Sequence, residues 1–312
     1  MNKFKALLHP FETIATIANS QLSDKSFLSH QVLFEYRASR LTELALHSAE
    51  TGISSERICN ENVIISLTSY GQRIYDVYLA IESIMQGSVK PNQIILWLSK
   101  DEFYNKPLPI TLQNQIKRGL EVCFYKDIRS YKKLIPSLQN YPQACIITID
   151  DDAIYDFDFT ENMIESYKTD SSCIWANRIH EMTYTKKGIL KSYLQWNWAI
   201  DRESPVNVNN FFSGVGGVLY PPQSLHKETY NEDVFTTICP TADDVWFNAM
   251  ARLNKTKIRK TFSRSLNKAN FILNESVQVG TLSQINNDPK ICRNDIQIHD
   301  VFKKYGILPQ KV

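Results

Sequence analysis

From about residue 62 onward, short apolar runs alternate with stretches whose apolar residues recur at helical spacing. Asn62–Leu67, Gln93–Leu98, Leu120–Tyr125 and Ala144–Ile149 have the length and apolar content of buried strands. Between the first two, Val77, Ala80, Ile81 and Ile84 predict a helix over Val77–Met85. A second helix is expected over Thr111–Arg118, closed by Gly119, and a third over Tyr131–Leu138. This alternation predicts an α/β fold with a doubly wound, mostly parallel sheet. Beyond residue 155 the pattern loosens: Ser172–Arg178 reads as a strand, and Phe211–Tyr220 carries Gly214, Gly216 and Gly217 ahead of Pro221-Pro222. Thr241–Leu253 and Asp295–Tyr305 read as helices, the latter with Asn294 as its cap and Gly306 as its stop.

The first 58 residues have a different texture. Leu7, Leu8, Phe11 and Ile14, then Leu28, Val32, Leu33 and Tyr36, then Leu41, Leu44 and Ala45 predict a rather separate N-terminal helical extension. With Lys3 and Lys5 in front, its first helix suits peripheral contact with a membrane surface, although such a stripe more often packs on its own protein. Gly52 and the polar run Ser54-Ser55-Glu56-Arg57 mark the break. The expected division is 1–58 as the extension, 59–260 as the sheet domain and 261–312 as a C-terminal segment packing on it.

Composition narrows the class. The 312 residues are 43% hydrophobic and 11% aromatic, enough for a sizeable core. A formal charge of +2 argues against nucleic acid as a partner. Lys255, Lys257, Arg259, Lys260 and Arg264 form a local basic stretch, read as a solvated loop or as a contact for phosphate or anionic lipid. The six cysteines show no regular spacing, so metal and disulfide frameworks are not expected and a reducing cytoplasm fits best. No apolar stretch approaches the roughly 20 residues of a membrane span, and His9, Pro10 and Glu12 interrupt any signal-peptide pattern. The expected location is cytoplasmic, with the inner face of the membrane as an option.

The chemistry concentrates in Asp150-Asp151-Asp152, directly after the fourth strand. At about 5 Å and an effective dielectric of about 20, each pair of these carboxylates repels by roughly 3 kcal/mol. A hard cation such as Mn²⁺ or Mg²⁺ removes that penalty and draws its other ligands from water and phosphates. The plain alternative is a solvated acidic turn. A second pair, Asp243-Asp244, opens a predicted helix, where Thr241 as a cap and the helix dipole would account for it structurally. Trp196 and Trp198 offer a stacking face for a sugar or the alternation of a half-buried strand.

Several pieces then occur in a telling order: Ser66-Leu67-Thr68-Ser69-Tyr70 with Arg73; Pro91–Trp97; Arg129-Ser130-Tyr131-Lys132-Lys133; Thr148–Asp152; Gly214–Tyr220; and Asp243-Asp244-Val245-Trp246. The set resembles bacterial glycosyltransferases of the GT-A fold, the family-2-like enzymes of surface-polysaccharide assembly, over about 62–255. The resemblance implies a GT-A catalytic domain. It implies a UDP- or GDP-linked nucleotide-diphospho-sugar donor, a divalent cation, and a glycan or lipid-linked acceptor in capsule or lipopolysaccharide synthesis. It implies that Thr68, Ser69 and Tyr70 receive the base and ribose, that Arg73 pairs with a phosphate or a site carboxylate, and that Asp127 holds base or ribose. Lys132, in preference to Lys133, is expected to neutralise the diphosphate. Asp152 is expected to ligate the metal, Asp150 to face the ribose or a metal-bound water, and Asp151 to have a less defined place beside them. Gly216 and Gly217 are placed in a loop under the donor sugar, with a tight turn between strands as the plain alternative, and His299 completes the metal shell. One of Asp243 and Asp244, with Asp243 slightly ahead, is the general base of an inverting transfer. Two other functions compete. A sugar-phosphate nucleotidyltransferase would normally carry a glycine-rich loop after the first strand, and only Gly71 stands there. A non-catalytic carbohydrate-binding protein would have no need of these carboxylates.

Overall fold

The computed structural model describes residues 31–200, 209–263, 270–274 and 282–307. Its centre is a seven-stranded sheet. The first four strands are β1 (Val63–Thr68), β2 (Gln93–Ser99), β3 (Leu120–Tyr125) and β4 (Cys145–Thr148), within a residue or two of the apolar runs. Ala153–Tyr155 forms β5, Ile174–Ala176 β6, Ile179–Glu181 β7, Asn210–Phe212 β8, Val218–Tyr220 β9, Ile258–Lys260 β10 and Phe271–Leu273 β11. The order across the sheet is β10-β6-β9-β4-β1-β2-β3. All neighbours are parallel except β9, which runs antiparallel to both β4 and β6. The pairs β5–β11 and β7–β8 form small antiparallel sheets.

The period-two alternation of the strands divides the core between two faces. Ile64, Ile95, Ile146 and Val218 point to one side, and Val63, Ile65, Ile94, Ile147 and Leu219 to the other. Helices cover both. We number them α1 (31–47), α2 (Tyr78–Met85), α3 (Ile110–Lys117), α4 (Ile135–Asn140), α5 (Phe159–Thr169), α6 (Asp243–Leu253) and α7 (Arg293–Tyr305). Helices α4, α6 and α7 pack on the first face, and α2, α3 and α5 on the second. The expected α/β, doubly wound, mostly parallel sheet is therefore present. β1 has β2 on one side and β4 on the other, so the chain reverses its direction of winding at β1, and the crevice opens beyond the ends of β1 and β4.

Several local expectations are corrected. The single helix over Tyr131–Leu138 is a 3₁₀ turn, Arg129–Lys133, followed by α4, with Leu134 between them outside helical geometry. Phe211–Tyr220 meets the plainer expectation for its glycines: two strands in different sheets joined by a turn in which Gly216 and Gly217 hold φ of 87° and 100°. Helix α7 begins at Arg293, so Asn294 lies inside it, while Gly306 ends it in the left-handed region at φ 62° as expected.

The described part of the segment before β1 packs on the sheet domain. Phe34, Ala38 and Leu41 of α1 pack on Leu79, Ile154 and Ile272. Arg37 pairs with Asp156 at 2.6 Å, and Thr42 bonds the Tyr78 hydroxyl at 2.8 Å. Gly52 lies so close to Met85 that a Cβ would sit 2.3 Å from its Cγ. The predicted helix over residues 7–18, and with it the membrane contact, lies outside the described residues. Among the described residues no helix is long and apolar enough to cross a membrane.

The basic stretch is partly used internally: Arg259 stacks over Trp175 at 4.7 Å and Lys260 donates to the Asn177 carbonyl at 2.7 Å. Arg264 lies outside the described residues. Cys59 and Cys145, which sequence spacing did not connect, meet Glu61 at the starts of β1 and β4, their ligating atoms all within 4.8 Å of one another.

Candidate active site

A cavity of about 540 Å³ opens at the β1–β4 end of the sheet. Its floor is Asp150, Asp151 and Asp152, delivered by the end of β4. Arg73, from the 3₁₀ turn after β1, reaches across this block and binds Asp151 at 2.8 Å and Asp152 at 3.0 Å. The Ser69 hydroxyl donates to the other Asp151 oxygen at 2.6 Å. Lys133 comes from the opposite side, 3.0 Å from Asp150 and 3.3 Å from Asp243. Its backbone carbonyl accepts from Ser66 on β1 at 2.6 Å, which fixes the 129–133 turn against the sheet. Gly214 allows the close approach on the far side, since a Cβ there would stand 3.1 Å from the Lys133 ammonium.

Both neighbouring lysines are buried, although one of two was expected to face solvent. The tight 3₁₀ turn directs each into the cavity wall, where each has its own acid: Lys132 pairs with Asp127 and Lys133 with Asp150 and Asp243. Lys133, rather than Lys132, is thus the lysine inside the acidic cluster. Arg129, in the same turn, lines the cavity with φ 56°, a conformation that costs a non-glycine residue energy and recurs at functional sites.

The electrostatics follow from crowding and burial. Burial pushes the Asp151 carboxyl up to about 6 despite Arg73, and Asp152 adds to the rise. Asp150 is raised by burial against the pull of Lys133. Burial works against the Lys133 charge, yet Asp150 and Asp243 hold its ammonium well above the ordinary range. At the start of α6, burial and the neighbouring Asp243 push Asp244 up to about 7. Asp127 also feels burial, but Lys132 and the Arg129 N–H outweigh it and keep its carboxyl low.

Half of the structural explanation for Asp243-Asp244 holds, since both acids stand in the first turn of α6 where the helix dipole favours them, but the expected cap does not form. Ala242, not Thr241, occupies the N-cap of α6, and no side chain caps the helix. The Thr241 hydroxyl instead meets Asn286 at 2.7 Å and Gln297 of α7 at 3.1 Å. Asp243 is tied to Lys133, whereas Asp244 has only the Val245 N–H at 2.9 Å and no ion pair among the described residues.

The remaining expected site residues divide. Thr68, Ser69, Tyr70 and Asp127 line the cavity with the aspartates. Tyr70 is half-exposed with the Arg73 guanidinium 5.4 Å from its ring, and the Thr68 hydroxyl is spent on the Trp97 carbonyl at 2.8 Å. Gly216 and Gly217 do not line the cavity: added Cβ atoms would meet Phe271 at 2.2 Å and Phe159 at 2.8 Å, so close packing of aromatic rings requires them. His299 is not brought to the acids either. Its side chain is 69% exposed on α7 and faces Asp300 at 3.1 Å, because the apolar stripe of that helix turns Ile298, Val301 and Phe302 inward. Trp196 is buried, while Trp198 is 38% exposed and lines the cavity beside His180 and Tyr193. Arg129, Arg178, His180 and Tyr193 complete that wall without having been singled out by the sequence, since lone residues in irregular segments carry no periodic signal.

The donor chemistry, carboxylate oxygen, suits a divalent cation, but the acids do not converge on one point: among the described residues, the group of three ligating side chains whose atoms all lie within 4.8 Å of one another is Cys59, Glu61 and Cys145. Seven acids line the cavity, Glu102, Asp127, Asp150, Asp151, Asp152, Asp243 and Asp244, against five bases, Arg73, Arg129, Lys132, Lys133 and Arg178, so it carries a small net negative charge when all are ionised. Oxygen donors of this kind suit Mg²⁺ or Mn²⁺. Asp152 and Asp150 are the ligands the cluster offers, with Arg73 and Lys133 as the cations any incoming ion would share them with.

No family model matches the chain. No curated protein matches it. Among solved structures, S. aureus TarS, residues 1–349, is similar at 12% identity and a TM-score of 0.42, over 67% of this chain and 59% of that one. The mannosyltransferase PcManGT from Pyrobaculum calidifontis, in complex with GDP-Man and Mn²⁺, is similar at 10% identity and a TM-score of 0.32, over 55% of this chain and 48% of that one. A CMP:2-keto-3-deoxy-manno-octonic acid synthetase complexed with CTP is similar at 8% identity and a TM-score of 0.36, over 64% of this chain and 88% of that one. The chain thus spans 59% of the TarS structure, and likenesses this distant carry neither substrate nor activity across.

Proposed function

We propose that the protein is a divalent-metal-dependent glycosyltransferase that moves a sugar from a nucleotide-diphospho-sugar to a hydroxyl of a glycan or lipid-linked acceptor, with inversion. The observation that carries this reading is the pairing of two acid groups with different electrostatics in one cavity. One, Asp150–Asp152, is braced by Arg73 and Lys133; the other, Asp244, stands without an ion pair and titrates near neutrality. Such a separation of roles is what a transfer to a hydroxyl requires.

In this reading Ser69, Tyr70 and Asp127 face the nucleoside, with the Tyr70 ring free to stack on a base. Mn²⁺ or Mg²⁺ held by Asp152 and Asp150 supplies Lewis-acid stabilisation of the leaving diphosphate. Lys133 and Arg73 add positive charge to the same end of the cavity and orient the carboxylates. Asp244 takes the proton of the acceptor hydroxyl as that oxygen attacks the anomeric carbon. Its pKa near 7 places it close to the operating pH, where a general base is most effective. Asp243 holds Lys133 and is a positioning residue, which reverses the order expected from sequence. Trp198 offers the acceptor sugar a face. Synthesis of a cell-surface polysaccharide at the cytoplasmic side of the membrane is the setting that suits such an acceptor.

A panel of nucleotide sugars with and without Mn²⁺ tests the proposal. Release of nucleoside diphosphate together with a glycosylated product is expected. Pyrophosphate release would indicate nucleotidyl transfer, and no turnover with any donor would leave a binding protein. Asp152→Ala is expected to weaken metal-dependent donor binding on the order of 100-fold. The same donor affinity in this variant and the native protein sinks the metal assignment.

A further inference from the structure

Arg178 lies in the link between β6 and β7, where its carbonyl accepts from the Ser213 N–H at 3.0 Å. Its side chain lines the cavity, yet its guanidinium makes no hydrogen bond or ion pair with any described residue, and its Nε is buried without a partner. This sets it apart from Arg73, Lys132 and Lys133, each of which lines the same cavity and is matched to a carboxylate. Arg178 is part-buried, and its buried Nε–H has no acceptor, which is costly for a donor withdrawn from water. Burial lowers its pKa, with only Tyr193 opposing.

No described carboxylate forms an ion pair with Arg178, although Asp244 lies close enough to act on the neighbouring Tyr193. The wall here is aromatic: His180 lies 4.9 Å from Trp198 and 5.7 Å from Tyr193, ring to ring. His180 is held neutral, its pKa pushed down to about 3 by burial and by Arg178 itself, and its Nδ1 accepts from the Ala199 N–H at 3.0 Å. β9 separates β6 from β4, so the backbone of β6, after which Arg178 stands, runs about 10 Å from that of β4, two strand spacings. The donor diphosphate has its own cations at that other end.

We propose that Arg178 anchors an anion-binding subsite on the acceptor side of the cavity, taking a carboxylate or phosphate carried by the acceptor beside the sugar that stacks on Trp198. This rests on the glycosyltransferase reading and narrows its acceptor to acidic saccharides or sugar phosphates. A guanidinium gives both groups a two-pronged set of donors and strengthens as the site loses water. Neutral glycans leave that charge unmatched and are discriminated against.

The test is a titration of glucose, glucuronate and glucose 6-phosphate into the full chain, read by tryptophan fluorescence and saturation-transfer NMR. One or both charged probes are expected to bind about ten-fold tighter than glucose, the two arms separating carboxylate from phosphate. In Arg178→Gln that advantage disappears, in Arg178→Lys part of it remains, and UDP or GDP binding with Mn²⁺ stays unchanged in both. Equal affinity for the three probes, or no binding by any, overturns the subsite. So does an advantage that survives in Arg178→Gln. Loss of UDP or GDP affinity in that variant would move Arg178 to the donor end and overturns it as well. A charge preference with the expected behaviour in a protein that turns over no nucleotide sugar keeps the subsite and removes the transferase.

Discussion

Asp244 is the residue whose environment has the most consequence. Its carboxyl is raised from about 3.9 in an ordinary aspartate to about 7, first by burial and then by Asp243. If it is the base, the transfer rate under saturating donor rises with pH through about 7 and levels above it. Asp244→Asn should lower kcat by roughly 10²–10⁴ while donor affinity holds. Unchanged kcat in a rapid-quench assay removes the role. The same shift has a stability consequence. The folded state holds the proton more tightly than the unfolded one, so this stabilisation is complete below about pH 4 and is lost as pH rises through about 7. Asp244→Asn is therefore expected to melt higher than the native protein at pH 8, with the gap closing at pH 4, as calorimetry can check. The aspartates themselves were legible in the sequence. How each neighbouring pair is partnered was not: Lys133 meets Asp150 and Asp243, Lys132 meets Asp127, and Asp244 is left without an ion pair among the described residues.

At the scale of elements, two connections hold the cavity's frame. The turn before β9 brings Gly217 against Phe159 and Met163 of α5 at φ 100°. Gly217→Ala combines backbone strain with overpacking and should cost about 1–3 kcal/mol in urea unfolding, without direct contact with substrate. On the other flank, Arg118 after α3 grips Glu82 of α2 at 2.8 and 2.9 Å, with Gln115 adding 2.9 Å, and Glu82 is fully buried. Arg118→Ala strands that carboxylate and should cost about 3–5 kcal/mol, whereas a loss below 1 kcal/mol would show that water reaches Glu82 in the variant. The glycines stood out in the sequence, but as a sugar-loop signal; the rings they accommodate come from Phe159 and Phe271, which no local pattern connects to them. Helix α7 was legible from its spacing, and the same spacing, with Ile298, Val301 and Phe302 facing the core, is what turns His299 away from the acid cluster.

For the molecule as a whole, ligand and fold stability are coupled. On the glycosyltransferase reading, donor and cation bind the folded cavity and not the unfolded chain, so Mn²⁺ with a matching nucleoside diphosphate at about 100 times its dissociation constant should stabilise by about 2.7 kcal/mol. That gain is expected to vanish in Asp152→Ala, and a melting shift of equal size in the variant would mean the nucleotide binds without the acid block. The chain alone determined the strand–helix alternation, the two-faced strands and the carboxylates at the end of β4, because periodicity and local charge are properties of neighbours in sequence. It also located the crevice, since acids after a parallel strand sit at the sheet's rim. Tertiary structure decided the rest. It docked α1 onto Leu79 and Ile154, withdrew Gly216, Gly217 and His299 from the site, and placed an unmatched Arg178 among aromatic rings. The physical reason is common to all of these: charge pairing, ring packing and burial depend on distances between residues far apart in the chain, and those distances exist only once the sheet has formed.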